Sequence, residues 1–310
     1  MTWRITALGT GLLAIVLVVA QDVVPQTPLY HRWQYALVLT ICLVVIVAYA
    51  NRARTGGDGV AGRRLVVAMI GAAIVDVAGL AAGLLGPDTA QVIGTPGTVT
   101  PIPALGAAAF FGPADAGAIA AGSASVILRR RDANEMTLAA TSRHLLGESL
   151  VYLEPRIAAY VDVADERGSH LTVTQPTNTS FLSPVLLFRD RQRIGTFDVP
   201  FDTFATPARH RVVRALAFSA HDLAQFDHSG TRFDTSRPGL ILSLSDDQNR
   251  PIGITLAPSG REITFAGLRI RATIGTYPAL AIASAPPSWM LAVGIALFVA
   301  GGIWSMIRGT

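Results

Sequence analysis

Lysine is absent from this 310-residue chain, and cysteine occurs only once. All 25 basic residues are arginine, so no lysine can serve as a Schiff base, a general base or a P-loop phosphate ligand. Because Cys42 stands alone, an internal disulfide, a CxxC redox pair and a CxxCH haem attachment are excluded. GxSxG, HExxH, P-loop and strand–helix GxGxxG motifs are also missing. We predict that the protein is not an enzyme and has no catalytic residues.

Charge is scarce as well. Charged residues make up 15% of the chain and apolar residues 51%, whereas a soluble domain has roughly 25% charged residues. The mean hydropathy of +0.45 agrees with this composition. The arginines are scattered through an acid-rich middle part or lie at the edges of apolar runs. The net charge of +4 therefore does not indicate a nucleic-acid partner.

Long apolar runs lie near both ends of the chain, and every tryptophan lies at the edge of one of them. Tryptophan favours the headgroup layer of a bilayer, because its ring is apolar while its N–H needs a polar partner. The tryptophans are Trp3, Trp33, Trp289 and Trp304. We predict transmembrane helices at residues 5–20, 35–50, 65–85 and within 287–310. A cleavable signal peptide is the alternative for the first run, and we favour a retained anchor.

The loop between the second and third runs fixes the predicted orientation. It contains four arginines against one aspartate, Asp58, and the positive-inside rule places such a loop in the cytoplasm. The third run then leads outward. We predict a multi-pass protein of the bacterial cell (inner) membrane whose large domain is extracytoplasmic.

Residues 87–131 form an apolar linker rich in alanine, glycine and proline. Its segment 103–128 is either a weak fifth span or a stretch that lies along the interface or packs into the domain. Gly112, Pro113 and Asp115 near its centre argue against insertion, because one aspartate costs about 2.5 to 3.5 kcal/mol there. The arginines that follow the segment argue for it. We favour four spans.

Residues 132–286 have the pattern of a β-rich domain. Polar and apolar residues alternate over 268–274, as a strand with one buried face requires. The polar run 246–249 separates two apolar stretches and predicts a tight turn. Short turns between short strands predict antiparallel sheets closing into a sandwich or a barrel-like form. The fold class is therefore an α-helical membrane bundle with an antiparallel β-rich domain.

Two residues are candidates for contact with a cofactor or a partner. Asp76 lies in the middle of the third apolar run, where a carboxylate is costly and so suggests function. His31, just before the second run, is a weaker candidate as an axial haem ligand. The spacing of His210, His221 and His228 matches no metal motif, so no metal site is predicted.

Two segments of the sequence resemble the ResB family of cytochrome c biogenesis membrane proteins. Its opening segment resembles 12–20, Val24-Pro25-Gln26 and Tyr30-His31-Arg32-Trp33. Its closing segment resembles 277–282, which leads through Pro286-Pro287 into a glycine-containing span. The resemblance implies a membrane partner of the CcsA/ResC type and an apocytochrome c substrate. It also implies haem that is handled by the partner complex, with no cofactor belonging to this chain.

The chain departs from that family in two places. Residues 65–70 lack the histidine usual in the family's third span, and 283–285 lack an acidic residue before the closing prolines. Our hypothesis is a non-enzymatic scaffold that supports cytochrome c maturation. The alternatives are an accessory structural subunit of a respiratory or photosynthetic membrane complex, and a membrane-anchored binding domain.

Overall fold

The structure is a computed structural model. In it the chain folds into two compact units. The helical unit comprises Met1–Gln91, Arg143–Tyr152 and Ala281–Thr310, and the β unit comprises Val92–Ser142 and Leu153–Leu280. The described residues are 2–23, 32–55, 59–86, 89–130, 135–140, 143–174, 180–181, 184–195, 197–226 and 236–306. His31 lies outside them.

Four long apolar helices dominate the helical unit, and they confirm the prediction of four apolar helices. Within the described residues each of the four is long and apolar enough to cross a membrane. In chain order the helices are α1 (Thr2–Val23), α2 (Trp33–Arg54), α3 (Gly59–Leu85), α4 (Ala116–Ala121), α5 (Ala220–Phe226) and α6 (Ser288–Met306). The short helices α4 and α5 belong to the β unit.

Two arginine–tryptophan contacts mark one end of the four long helices. The guanidinium of Arg52, near the end of α2, lies 5.5 Å from the ring centroid of Trp3 at the start of α1. Arg64, near the start of α3, lies 5.5 Å from the ring centroid of Trp304 near the end of α6. Such cation–π contacts stabilise by about 0.5 to 1 kcal/mol where exposed. They fix α1 antiparallel to α2 and α3 antiparallel to α6.

Helices α3 and α6 approach each other through small residues. A Cβ atom on Gly71 would overlap the carbonyl oxygen of Gly294, and one on Gly301 would overlap the backbone nitrogen of Ala68. Small residues permit such close backbone contact, which is the main source of attraction between helices in lipid.

The β unit carries most of the strands. They are β1 (Ala90–Val92), β2 (Val99–Ile102), β3 (Ala107–Phe111), β4 (Val126–Arg130), β5 (Glu135–Leu138), β6 (Arg143–Leu146), β7 (Ser149–Asp165), β8 (Val173–Thr174), β9 (Ser180–Phe181), β10 (Val185–Leu186), β11 (Asp190–Ile194), β12 (Phe197–Thr206), β13 (Arg211–Phe218), β14 (Gly239–Asp246), β15 (Pro251–Pro258), β16 (Glu262–Phe265) and β17 (Leu268–Ser284).

These strands form three antiparallel sheets. The seven-stranded sheet has the order β15-β14-β13-β12-β8-β9, with β11 beside β12. The six-stranded sheet has the order β1-β17-β7-β10, with β16 beside β17 and β6 beside β7. The order of the third is β2-β3-β4-β5. Most neighbours are also consecutive in the chain, which confirms the prediction of strands joined by short turns.

One buried cluster draws on both large sheets. Leu268, Ile270 and Ala272 of β17 lie in it together with alternate residues of β13 and β14. Arg269 and Arg271, the residues between them, are not part of it. The alternation predicted for 268–274 is therefore confirmed, because successive side chains of a strand point to opposite faces.

Segment 103–128 belongs to the β unit, in agreement with the predicted alternative in which it packs into the domain, and it is built of strands. In the described part, 99–130 contributes strands β2, β3 and β4, and its one α-helix, α4, has six residues. The aspartate that made a span costly has another role: the carboxylate of Asp115 accepts a hydrogen bond from the Ala118 N–H at 2.7 Å. It thereby caps the start of α4. Gly122 ends that helix in the left-handed conformation.

Two aspartates in turns accept hydrogen bonds from nearby backbone N–H groups. The Asp246 carboxylate accepts the backbone N–H groups of Gln248 and Arg250, and Asp165 accepts those of Arg167 and Ser169. These hydrogen bonds lower the pKa of both aspartates, because they favour the charged form. Their stabilising effect is therefore present above the ordinary aspartate pKa and is lost as the pH falls through the lowered value.

Strand β17 and helix α4 meet without space for a side chain. A Cβ on Gly275 would overlap the carbonyl oxygen of Ile119. Nearby, the buried Tyr277 hydroxyl donates a 2.6 Å hydrogen bond to the carbonyl of Gly112, 165 positions earlier in the chain. These contacts hold the segment that resembles the ResB closing region.

We expect Gly275→Ala to destabilise the β unit by about 2 kcal/mol or more, because the backbone must shift to admit a methyl group. Hydrogen–deuterium exchange of the full-length protein measures this as faster exchange in β17 and α4. Gly117→Ala is the matched control, because its Cβ would meet only Asp115 Oδ1 at 3.4 Å. Equal exchange in the two variants would contradict the prediction.

Candidate functional site

Asp76 is fully buried in the helical unit, with a relative exposure of 0%. Neither of its carboxylate oxygens has a hydrogen-bond partner among the described residues. At 1.5 Å per residue, it lies about 18 Å along α3 from Arg64 and about 14 Å from Leu85. The carboxylate is therefore near the middle of the helix, as predicted, and away from both polar ends.

The residues one turn away show which helices surround this carboxylate. Ala72 lies 3.1 Å from the place where a Cβ of Gly11, in α1, would be. A Cβ on Gly79 would meet Val18 of α1 and Leu39 of α2. Positions i−4 and i+3 share a helix face with position i. Asp76 therefore lies on the face of α3 that packs against α1 and α2.

Cys42 is a titratable neighbour of this carboxylate. Its buried thiol belongs to α2 and interacts electrostatically with Asp76. Cys42 is nine residues from Trp33, about 14 Å along α2, so both groups lie at a similar depth. In the described part of the chain, no three histidine, cysteine or acidic residues come together in a way that could hold a metal ion.

An unpartnered carboxyl group among apolar helices has few stable states. Charged and unpaired, it carries a desolvation penalty of several kcal/mol. It is stable when it holds a proton, or when a cation or a hydrogen-bond donor is brought to it. The arrangement can therefore bind a proton or receive a polar group from another molecule.

The histidines of the β unit do not form a site. His210 lies 3.3 Å from Asp247, His170 lies 2.7 Å from Asp162, and His221 contacts Gln225. Each of these is exposed at the surface. His228 is outside the described residues. Single carboxylate contacts at the surface are typical of solvated loops, in keeping with the lack of a metal motif.

Sequence analysis missed a half-buried carboxylate, Asp202 in β12. It accepts the backbone N–H of Leu187 at 3.0 Å and that of Thr203 at 2.8 Å. Burial raises the pKa of this carboxyl, and the hydrogen bonds oppose the rise. It lies beside Phe188, whose positive φ of 45° is unusual for a side chain of that size. Asp202 therefore positions a turn. In the sequence, only the presence of an acidic residue within an apolar strand pointed to this role.

Comparisons with protein-family models, with curated protein sequences and with solved structures give no match to this chain. The resemblance to the ResB family rests on the residues quoted above and stays a prediction.

We expect Asp76→Ala to stabilise the helical unit by about 1 to 2 kcal/mol. The change removes an insertion cost of about 2.5 to 3.5 kcal/mol and leaves only a small cavity. Thermal unfolding of the full-length protein in detergent, followed by helical circular dichroism, measures the effect. The adjacent Val75→Ala is the control and should destabilise by about 2 kcal/mol, because Val75 is buried and purely apolar. A loss of stability in Asp76→Ala would show that the carboxylate has a structural partner.

Proposed function

We propose that the protein is a multi-pass membrane scaffold that supports cytochrome c maturation and has no catalytic activity of its own. The observation that carries the proposal is the order of its parts: three long apolar helices, antiparallel sheets, then one closing apolar helix. The same order is what the resemblance to the ResB family implies. In this role a sandwich-like β unit offers a surface to apocytochrome c. The helices pack against a partner of the CcsA/ResC type that handles haem.

The arginine–tryptophan end of the helices supports an extracytoplasmic position for the β unit. Arg52, Arg54, Arg63 and Arg64 all lie at the end where α2 finishes and α3 begins. Positively charged loops face the cytoplasm. The chain leaves α3 for the strands after Leu85 and returns before Ser288, which are the opposite ends of the antiparallel helices. These observations support the proposal that the strands lie at the outer face of a bacterial cell membrane.

A role as a simple membrane anchor does not explain why an acidic residue occupies position 76. A simple anchor would be more stable with an apolar residue at this position. In a scaffold, the carboxyl group provides a contact for a donor or a cation from the partner complex. Residues that lower the stability of the folded protein are characteristic of functional positions.

Single-cysteine labelling tests the proposed orientation. Cys42→Ala removes the only cysteine. Gln248→Cys then reports on the exposed β14–β15 turn, and Thr55→Cys on the end of α2. An impermeant maleimide should label Gln248→Cys in intact cells, but Thr55→Cys only after the membrane is opened. The reverse pattern would place the β unit in the cytoplasm and would overturn the scaffold proposal.

Deletion of the gene in its native host tests the function. We expect loss of covalently bound haem from all c-type cytochromes, measured by haem staining of gels, with restoration by the wild-type gene. Asp76→Asn and Asp76→Ala should restore it poorly although both proteins accumulate, because neither offers an ionisable carboxyl group. Normal cytochromes in the deletion strain would refute the proposal. Stoichiometric co-purification with respiratory or photosynthetic subunits would then support the accessory-subunit alternative.

A further inference from the structure

A groove opens between α2 and α3 at the arginine end of the helical unit. Its volume is about 630 Å³, within the range of small-molecule sites. The residues that line it are Val47, Ala50, Asn51, Arg54, Arg63 and Val66. Polar side chains lie towards the helix ends, and apolar ones lie one or two turns deeper along the helices. All belong to the helical unit.

The four arginines of α2 and α3 at this end divide into two pairs. Arg52 and Arg64 stack on tryptophans, so their guanidinium groups have aromatic partners. Arg54 and Arg63 line the groove and are exposed. Among the described residues, no acidic side chain lines the groove. The described lining of the groove therefore carries two positive charges near its mouth.

We propose that this groove binds the headgroup of an anionic phospholipid. Guanidinium groups bind phosphate oxygens through two parallel hydrogen bonds, and the Asn51 amide supplies a further donor. The apolar wall of Val47, Ala50 and Val66 fits the glycerol and the first methylenes of an acyl chain. Basic pockets between transmembrane helices are suited to anionic lipids. A free phosphate ion would use the arginines but gain nothing from the wall.

The proposal rests on the membrane location but not on cytochrome maturation. The lipid would join α2 to α3 at the end where α2 finishes and α3 begins. A bound lipid stabilises the folded state by a free energy that grows with the logarithm of its free concentration over its dissociation constant. Binding can therefore be measured as the added mass of the lipid and as a rise in the thermal midpoint.

The test uses the full-length protein in a neutral detergent, with phosphatidylglycerol, phosphatidylcholine or inorganic phosphate added. Native mass spectrometry counts retained lipids, and the thermal midpoint measures stabilisation. We expect retention and stabilisation with phosphatidylglycerol alone. The double variant Arg54→Gln/Arg63→Gln should bind it roughly 30-fold more weakly, at about fivefold per arginine. Arg52→Gln/Arg64→Gln has the same net charge and should keep most of the binding.

Three results would overturn the proposal. Equal losses in the two double variants would indicate unspecific attraction to the charged end. Equal stabilisation by inorganic phosphate would indicate a simple anion site. Equal retention of phosphatidylcholine would indicate annular lipid without headgroup selection. Each can occur while the deletion strain still lacks c-type cytochromes, so this test and the test of the proposed function fail separately.

Discussion

The close contact between α3 and α6 is the constraint on which the helical unit depends. In a hydrocarbon environment the hydrophobic effect does not drive helices together, and attraction comes from tight packing. α6 presents Trp289, Val293 and Ile303 outward, so most of its surface gains nothing from its neighbours. The glycine contacts at Gly71 and Gly294 therefore hold the last helix of the chain against the third. They join the helix that precedes the strands to the helix that follows them.

Most of the helical unit could be predicted from the sequence because its signals are local. Run length and the positions of tryptophan and arginine define each helix without reference to any other. Strand β17 was predictable for a similar reason, since its alternation is a property of consecutive residues. Strand β3 was not, because Ala107, Ala108 and Ala109 have neither alternation nor β propensity. These alanines form a strand because they pair with β2 and β4, and this pairing is not visible in the local sequence.

The candidate site also has one part that the sequence predicts and one part that it does not. Asp76 is evident in the sequence because a charge interrupts an apolar run. Its surroundings are not, since the approach of Val18 and Leu39 to Gly79 depends on how three helices pack. Cys42 was noted only as a lone thiol, and its closeness to Asp76 follows from helix depth and facing. Asp202 was missed because an acid in a strand is usually solvated, and its burial depends on the turn at Leu187.

The full burial of Asp76 constrains any partner that uses it. No molecule can reach the carboxylate while α1, α2 and α3 are packed as they are, because its exposure is 0%. A donor from another protein must therefore displace one of these helices, and its binding energy must exceed the cost of that opening. α1 and α2 are the helices that lie against this face of α3, as the contacts of Gly11 and Gly79 show. Recognition at Asp76 would therefore be coupled to a movement of α1 or α2.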